Sequence, residues 1–290
     1  MAFRSIVIRD RCKLEYSLNY LVCRKGMEET RVLIDEIRLI VIESTQVSIT
    51  TSLIAKLTEN KVKIIFCDSE HNPNSEITPY QNNYYSYRKI KEQISFIKDQ
   101  DYLWSLIIKE KIANQAYLLK ISNHINEYNM LMDYYDNVKM GDSTNREGHS
   151  AKVYFNALFG NNFNRKDDTY LINKFLNYGY SIILSCINRE IKALGYLTEL
   201  GIHHIGESNS FNLSCDLIEP LRPLVDSLVV KNEVDIENYK TKCVELLSRK
   251  VLFNNQETFL DNAIHLYVIS IIEFMKKLDK ENIKFIYYEL

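Results

Sequence analysis

The sequence has no C-x-x-C pair. Its six cysteines (Cys12, Cys23, Cys67, Cys186, Cys215 and Cys243) are scattered over 290 residues. That spacing argues against a zinc ribbon, and a disulfide framework does not suit a chain of this size. All six read as small buried thiols. No apolar run approaches the roughly 20 residues that a bilayer-spanning helix needs. The opening MAFRSIVIRDR carries Arg4, Arg9 and Asp10, so it lacks the apolar core of a secretory signal. A cytoplasmic protein with no membrane association is the expectation. There is no H-E-x-x-H and no P-loop, which removes the commonest zinc-protease and nucleotide-hydrolase readings. A basic excess is also missing, since the net charge is −2. Any nucleic acid must therefore meet a local basic patch or a partner's surface.

What remains is 46% hydrophobic and 26% charged, a globular composition with enough length for two domains. Glycine and proline are scarce, 8 and 4, and seven of the eight glycines lie between Gly141 and Gly206. Pro73 and Pro79 sit in DSEHNPNSEITPYQN (68–82), a polar, aperiodic stretch that reads as a linker. Before it come short runs rich in Val, Ile, Leu and Tyr: RSIVIRD, KLEYSLNYLVCRK, TRVLI, IRLIVIES and KVKIIFCD. KGMEE (25–29) reads as a hairpin turn, and SITTSLIAKLTEN (48–60) as a short helix between strands. After the linker the period is helical. Trp104, Ile108, Ile112, Ala116 and Leu119 share one helix face. Further helices are expected over 181–201, with Gly201 as C-cap, over DIENYKTKCVELLSRK, and over ETFLDNAIHLYVISIIEFMKKLD. The fold class expected is α+β: a small β domain over 1–75, a linker over 76–83, and a larger all-helical domain over 84–290. YYSYRKIK (84–91) interleaves tyrosines with Arg88, Lys89 and Lys91, a mixture that suits base stacking or, more simply, a charged helix face.

Two stretches carry candidate chemistry. In TNREGHSAKVYFNALFG (144–160), Thr144-x-x-Glu147 has the form of a capping box with Glu147 at its third helical position. That reading leaves Gly148 unexplained. Glycine in a first turn costs roughly 1 kcal/mol relative to alanine, and close approach of another backbone, a DNA strand or a metal shell would account for it. In LGIHHIGESNSFNLSCDLIEPLRP (200–223), His203 and His204 fall on a loop. Asp216 and Glu219 share a helical face, Ser214 is a candidate N-cap, and Pro220 predicts a kink beside the acids. Carboxylates with an imidazole and no thiolate suit Mg²⁺ or Mn²⁺ better than structural Zn²⁺.

These motifs, R-E-G-H-x-A-K-V-Y-F-N-A-L-F-G, then L-G-x-x-H, then D-L-I-E-P-x-R-P, resemble the CRISPR-associated integrase that captures new spacers, the first of the Cas series, in its type II form. The resemblance spans the chain. It implies a metal ion held by Glu147, His204 and Glu219. Asp216 is the family's other acid, placed to orient the site, and His203 is the less favoured of the two histidines. It further implies double-stranded DNA as substrate, both captured fragment and repeat. A homodimer joined through the N-terminal domain is implied, as is a heterohexamer with a small second Cas protein. In type II systems an effector nuclease and a ring-shaped accessory protein are implied too. Arg146, Arg222 and Lys152 are candidate phosphate contacts, with Arg189 nearby. The expected reaction is attack of a DNA 3′-hydroxyl on a phosphodiester, with no enzyme nucleophile. Two alternatives stay open: a stand-alone nuclease for branched DNA that uses water, and a helical DNA-binding scaffold in which Glu147 is only a cap.

Overall fold

The structure is a computed structural model and describes residues 4–69, 73–77, 86–96, 100–167, 169–231, 235–277 and 283–290. Its internal contacts divide the chain into two units, Met1–Gln81 and Asn82–Leu290.

The first unit is built from two four-stranded sheets. Strand β1 (Arg4–Ile8) is followed by β2 (Lys13–Ser17), β3 (Tyr20–Lys25) and β4 (Glu28–Leu33). Ser17 pairs with Tyr20, so Leu18 and Asn19 form a two-residue loop. Both have positive φ (49° and 65°), the twist that matches antiparallel strands. The turn expected at 25–29 joins β3 to β4 through the Lys25–Glu28 pair. Next come β5 (Ile37–Ile42), β6 (Ser48–Ile49), helix α1 (Thr51–Glu59), β7 (Lys63–Cys67) and β8 (Pro73–Glu76). Strand β5 lies between β1 and β7, parallel to both. Its nearly unbroken Ile-Arg-Leu-Ile-Val-Ile run is what a strand covered on both faces requires. Leu14, Leu21, Ile34, Ile40, Leu53 and Ile64 meet in the core. Part of the expected linker is ordered into the sheet, because β8 pairs with β7. Residues 78–85, with Tyr84, Tyr85 and most of the linker 76–83, lie outside the described residues.

The second unit contains α2 (Ser86–Ser95), α3 (Gln100–Ile121), α4 (Ile125–Asp136), α5 (Arg146–Phe159), α6 (Leu171–Ala193), α7 (Asn212–Ile218), α8 (Arg222–Val230), α9 (Tyr239–Glu245) and α10 (Leu260–Lys277). It is not all helical. Strands β9 (Lys250–Phe253), β10 (Gln256–Phe259) and β11 (Ile286–Tyr287) form an antiparallel sheet, so the start of the expected last helix is a strand. The Asn254-Asn255 pair, both at positive φ, makes its hairpin turn. The helix expected to reach Gly201 ends at Ala193, which leaves 194–211 as a long loop. Helix α3 is the central element of this unit. Trp104, Ile107, Ile108, Ile112, Ala116 and Leu119 are all buried, and so are Lys111 and Gln115. In α2, Lys89 donates to the Leu194 carbonyl and Gln93 to that of Leu197, so this basic stretch is used in folding. No described helix is long and apolar enough to cross a membrane. Of the cysteines, Cys12, Cys186 and Cys243 are buried as expected, while Cys23, Cys67 and Cys215 are only partly covered.

Candidate active site

Glu147 owes its place to a cap that differs from the expected one. Asn145, not Thr144, is the N-cap; it adopts the left-handed conformation (φ 52°, ψ 45°), and its side chain accepts from the Gly148 amide at 3.2 Å. The buried Asp142 carboxylate accepts from the amides of Arg146 (2.8 Å) and Glu147 (2.9 Å). Two side chains thus satisfy the first free amides of α5, with an anion at the positive end of the helix. Glu147 is the second residue of the helix, and its side chain caps no amide there. The same geometry explains Gly148. A Cβ there would lie 2.8 Å from Asn145 Oδ1, so the close neighbour is the capping side chain.

Glu219 sits where α7 gives way to α8. The kink expected at Pro220 is a single 3-10 turn, Glu219–Leu221. The Pro220 carbonyl accepts from Asn114 Nδ2 (3.0 Å) and from the Tyr288 hydroxyl (2.6 Å), which pins the turn to α3 and to the segment after β11. Ser214 is not a cap; it is buried within α7 and bonded to Asn188. The Glu219 side chain is only 7% exposed. Arg222 Nε lies 2.8 Å from one carboxylate oxygen, and Lys111 Nζ is 2.5 Å from the other. Burial opposes ionisation, but Arg222 and Lys111 outweigh it and hold the Glu219 pKa down to about 2. Arg222 is itself stacked on the Tyr180 ring, 4.5 Å from its centroid. The hydroxyls of Tyr154 and Tyr180 both donate to Asp226, whose pKa burial pushes up to about 6.

The two acids converge. Lys111 Nζ lies 2.5 Å from Glu147 Oε1 as well. Lys111, Glu147, Lys152, Arg165, Glu219 and Arg222 line one cleft of about 520 Å³, together with Phe155, Phe163 and Tyr180.

Asp216 organises the remaining element. It is fully buried and accepts from the backbone amides of Ile202 (2.5 Å), His203 (3.0 Å) and His204 (3.1 Å). Its Oδ1 is also 2.6 Å from His204 Nδ1. Gly201 leaves room for this arrangement, since a Cβ there would come within 2.2 Å of the His204 carbonyl oxygen. An Asp216 acceptor fixes the proton of His204 on Nδ1 and leaves the Nε2 lone pair free. The same hydrogen bond raises the His204 pKa; burial works against this, and the charges of Asp216 and Glu219 add to the rise. His203 differs from its neighbour: its ring is stacked on Trp104, with centroids 4.2 Å apart and planes 2° from parallel.

His204 opens on an adjacent cavity, lined also by Glu199, Gly206 and Asn212, and not on the cleft of the two glutamates. Among the described residues no three His, Cys, Asp or Glu side chains stand ready-made as a metal cage. The donor chemistry nonetheless fits a divalent ion. Glu219 Oε2 is buried and, despite its contact with Lys111, has no hydrogen bond of good geometry. Two carboxylates already share one cation, and Glu219 acts electrostatically on His204.

Of the candidate phosphate contacts, Lys152 is exposed in the cleft. Arg222 is committed to Glu219 and Tyr180, and the Arg146 guanidinium lies over the Tyr134 ring at 5.3 Å. Arg189 pairs with Glu190 and Asp261. Lys111 and Arg165 were not among the sequence candidates. A signal existed for Lys111: it falls three residues after Ile108 on the apolar side of α3, where a charge needs a partner.

An acid pair in one cleft and an oriented histidine on the adjacent cavity, in a mainly helical unit that follows a β unit, define an α+β protein with a polar, charged region. The chain belongs to the Cas1 family: the family described as CRISPR associated protein Cas1 matches residues 6–242. It is 34% identical over 233 residues to the CRISPR-associated endonuclease Cas1 of Neisseria meningitidis serogroup C (strain 8013), covering 79% of this chain and 76% of that one. It shares its fold with a casposase bound to integration product, with a TM-score of 0.78, 17% identity, and coverage of 96% of this chain and 92% of that one. A chain of a Cas6-RT-Cas1–Cas2 complex also aligns, with a TM-score of 0.77 and 16% identity, over 96% of this chain and 35% of that one.

Proposed function

We propose that this protein is a metal-dependent DNA endonuclease and strand-transfer integrase that inserts captured DNA fragments into a CRISPR array. The observation that carries the reading is the convergence of Glu147 and Glu219 on one cation position in an open cleft. The names of the relatives, an endonuclease and a casposase on its integration product, point the same way. Glu147, Glu219 and His204 would hold Mg²⁺ or Mn²⁺. Such an ion, when bound, acts as a Lewis acid on the reacting phosphate and its leaving oxygen.

The chain's own groups have separate tasks. Arg222 keeps Glu219 ionised in a buried position. Asp216 presents the free nitrogen of His204. Lys152 and Arg165 line the cleft as counter-charges for a DNA backbone, and Phe155 and Phe163 offer faces on which an unpaired base can stack. The incoming 3′-hydroxyl forms the new phosphorus–oxygen bond and the old 3′-oxygen leaves, so no protein nucleophile is needed. Cys215 and Cys243 agree with this, since burial raises the thiol pKa of Cys215 and raises that of Cys243 to about 12. As partners we propose double-stranded DNA, a second copy of the chain joined through the N-terminal unit, and a small second Cas subunit. A type II effector nuclease and a ring-shaped accessory protein follow from the sequence resemblance. As the location of the reaction we propose the cytoplasm.

The test is strand transfer on a branched DNA that mimics a half-integrated fragment, with Mn²⁺, comparing wild type with Glu147→Ala and His204→Ala. Religated product that disappears in both variants is expected. Cleavage without religation would instead indicate a hydrolytic nuclease, and DNA binding without either product would indicate a scaffold.

A further inference from the structure

Lys111 is 4% exposed and projects from the middle of α3. A buried ammonium is costly unless it is paired, and this one is paired twice, with Glu147 and Glu219 at 2.5 Å each. Those two distances put the carboxylate oxygens no more than about 5 Å apart, so a closure of about 1 Å brings both within the roughly 2.0–2.1 Å reach of one Mg²⁺-sized cation. Arg222 covers the other oxygen of Glu219, so the oxygen facing Lys111 is the one left for a metal. Without a cation at this point a buried carboxylate and a half-buried one would repel each other across a short gap.

We infer that Lys111 is a built-in counter-cation: its ammonium holds the place between Glu147 and Glu219 that the divalent ion takes, and it must leave when the ion enters. This rests on the metal-site reading above. The side chain lines the open cleft, so the displaced ammonium has solvent to enter and need not stay buried without a partner. A lysine suits such an exchange better than arginine, because it is a single point charge on a flexible stem and forms no rigid bidentate fork. Lys111 is thus a positioning residue. It keeps the acids together before loading, and it competes with the metal.

The two functions predict opposite signs in one experiment. Mn²⁺ binding to the full chain is measured from the loss of the free-ion EPR signal, with melting followed in metal-free buffer. Lys111→Met should melt lower without metal and bind Mn²⁺ about tenfold or more tightly than wild type, because a competing cation has gone. Lys111→Gln, polar and of similar length, serves the same purpose if the methionine variant does not fold. Wild-type or weaker Mn²⁺ affinity in a folded Lys111 variant would overturn the inference while leaving the metal site intact. If neither wild type nor variant binds Mn²⁺, and Glu147→Gln changes nothing, the metal-site reading falls and takes this inference with it.

Discussion

Replacing Asp216 by Asn removes one charge and changes one atom, yet it should disturb both the fold and the site. In the native protein Oδ2 serves Ile202 and His203, while Oδ1 serves the His204 amide and His204 Nδ1. An asparagine can keep its oxygen toward the first pair. Its NH₂ group then faces the His204 amide, donor against donor, and one buried hydrogen bond is lost. Hydrogen bonds to charged groups contribute about 1.5–3 kcal/mol, and two more are weakened by loss of the charge, so a cost of about 2–4 kcal/mol is expected. For a unit of this size that lowers Tm by roughly 5–15 °C. The tautomer changes as well. An NH₂ donor makes Nδ1 the acceptor and moves the His204 proton to Nε2, the atom assigned to the metal. Mn²⁺ affinity should fall about 10–100-fold. Calorimetry and Mn²⁺ EPR on the same preparation read both effects. A variant with unchanged Tm and unchanged Mn²⁺ binding would refute the role given to Asp216 as organiser of the loop and orienter of His204.

Gly148→Ala should be close to neutral. Crowding the Asn145 cap costs about 1 kcal/mol, and the better helix propensity of alanine returns a similar amount. Urea denaturation beside the strand-transfer assay checks this, and lost turnover at unchanged stability would restore the explanation that DNA passes close to this turn. Glu219, held down to about 2 in the folded state, lends stability that is present above its unfolded pKa, near the ordinary 4.5, and is lost as pH falls from there toward 2. A pH series of melting curves should therefore show a shallower acid limb in Glu219→Gln than in wild type; parallel limbs would mean that another group controls acid unfolding.

Much of the fold was legible because its signals are local. Alternating Val, Ile and Tyr marked the strands of the N-terminal unit, and Trp104, Ile108 and Ile112 marked α3. The sheet β9–β10–β11 was not legible: its strands are two to four residues long, and β11 joins across α10. The cap of α5 was misread because Asn145 takes a left-handed conformation and Asp142 reaches forward over several residues. Glu147, His204, Asp216 and Glu219 stood out by motif, but their electrostatic setting did not. That setting depends on Lys111, whose contacts to residues 147 and 219 cross long sequence separations, so no window of sequence contains the pair it bridges.

Helix α3 presents Lys111 and, one turn later, Asn114. The first meets the Glu219 carboxylate and the second grips the Pro220 carbonyl. One rigid rod therefore gauges both the charge and the backbone of the turn opposite. Tyr288 clamps that same carbonyl from a distant part of the chain. A helix interruption is ordinarily a place where a chain yields. Here it is fastened from two sides, so that the acid on it keeps a set clearance from α3 while the cleft in front stays open.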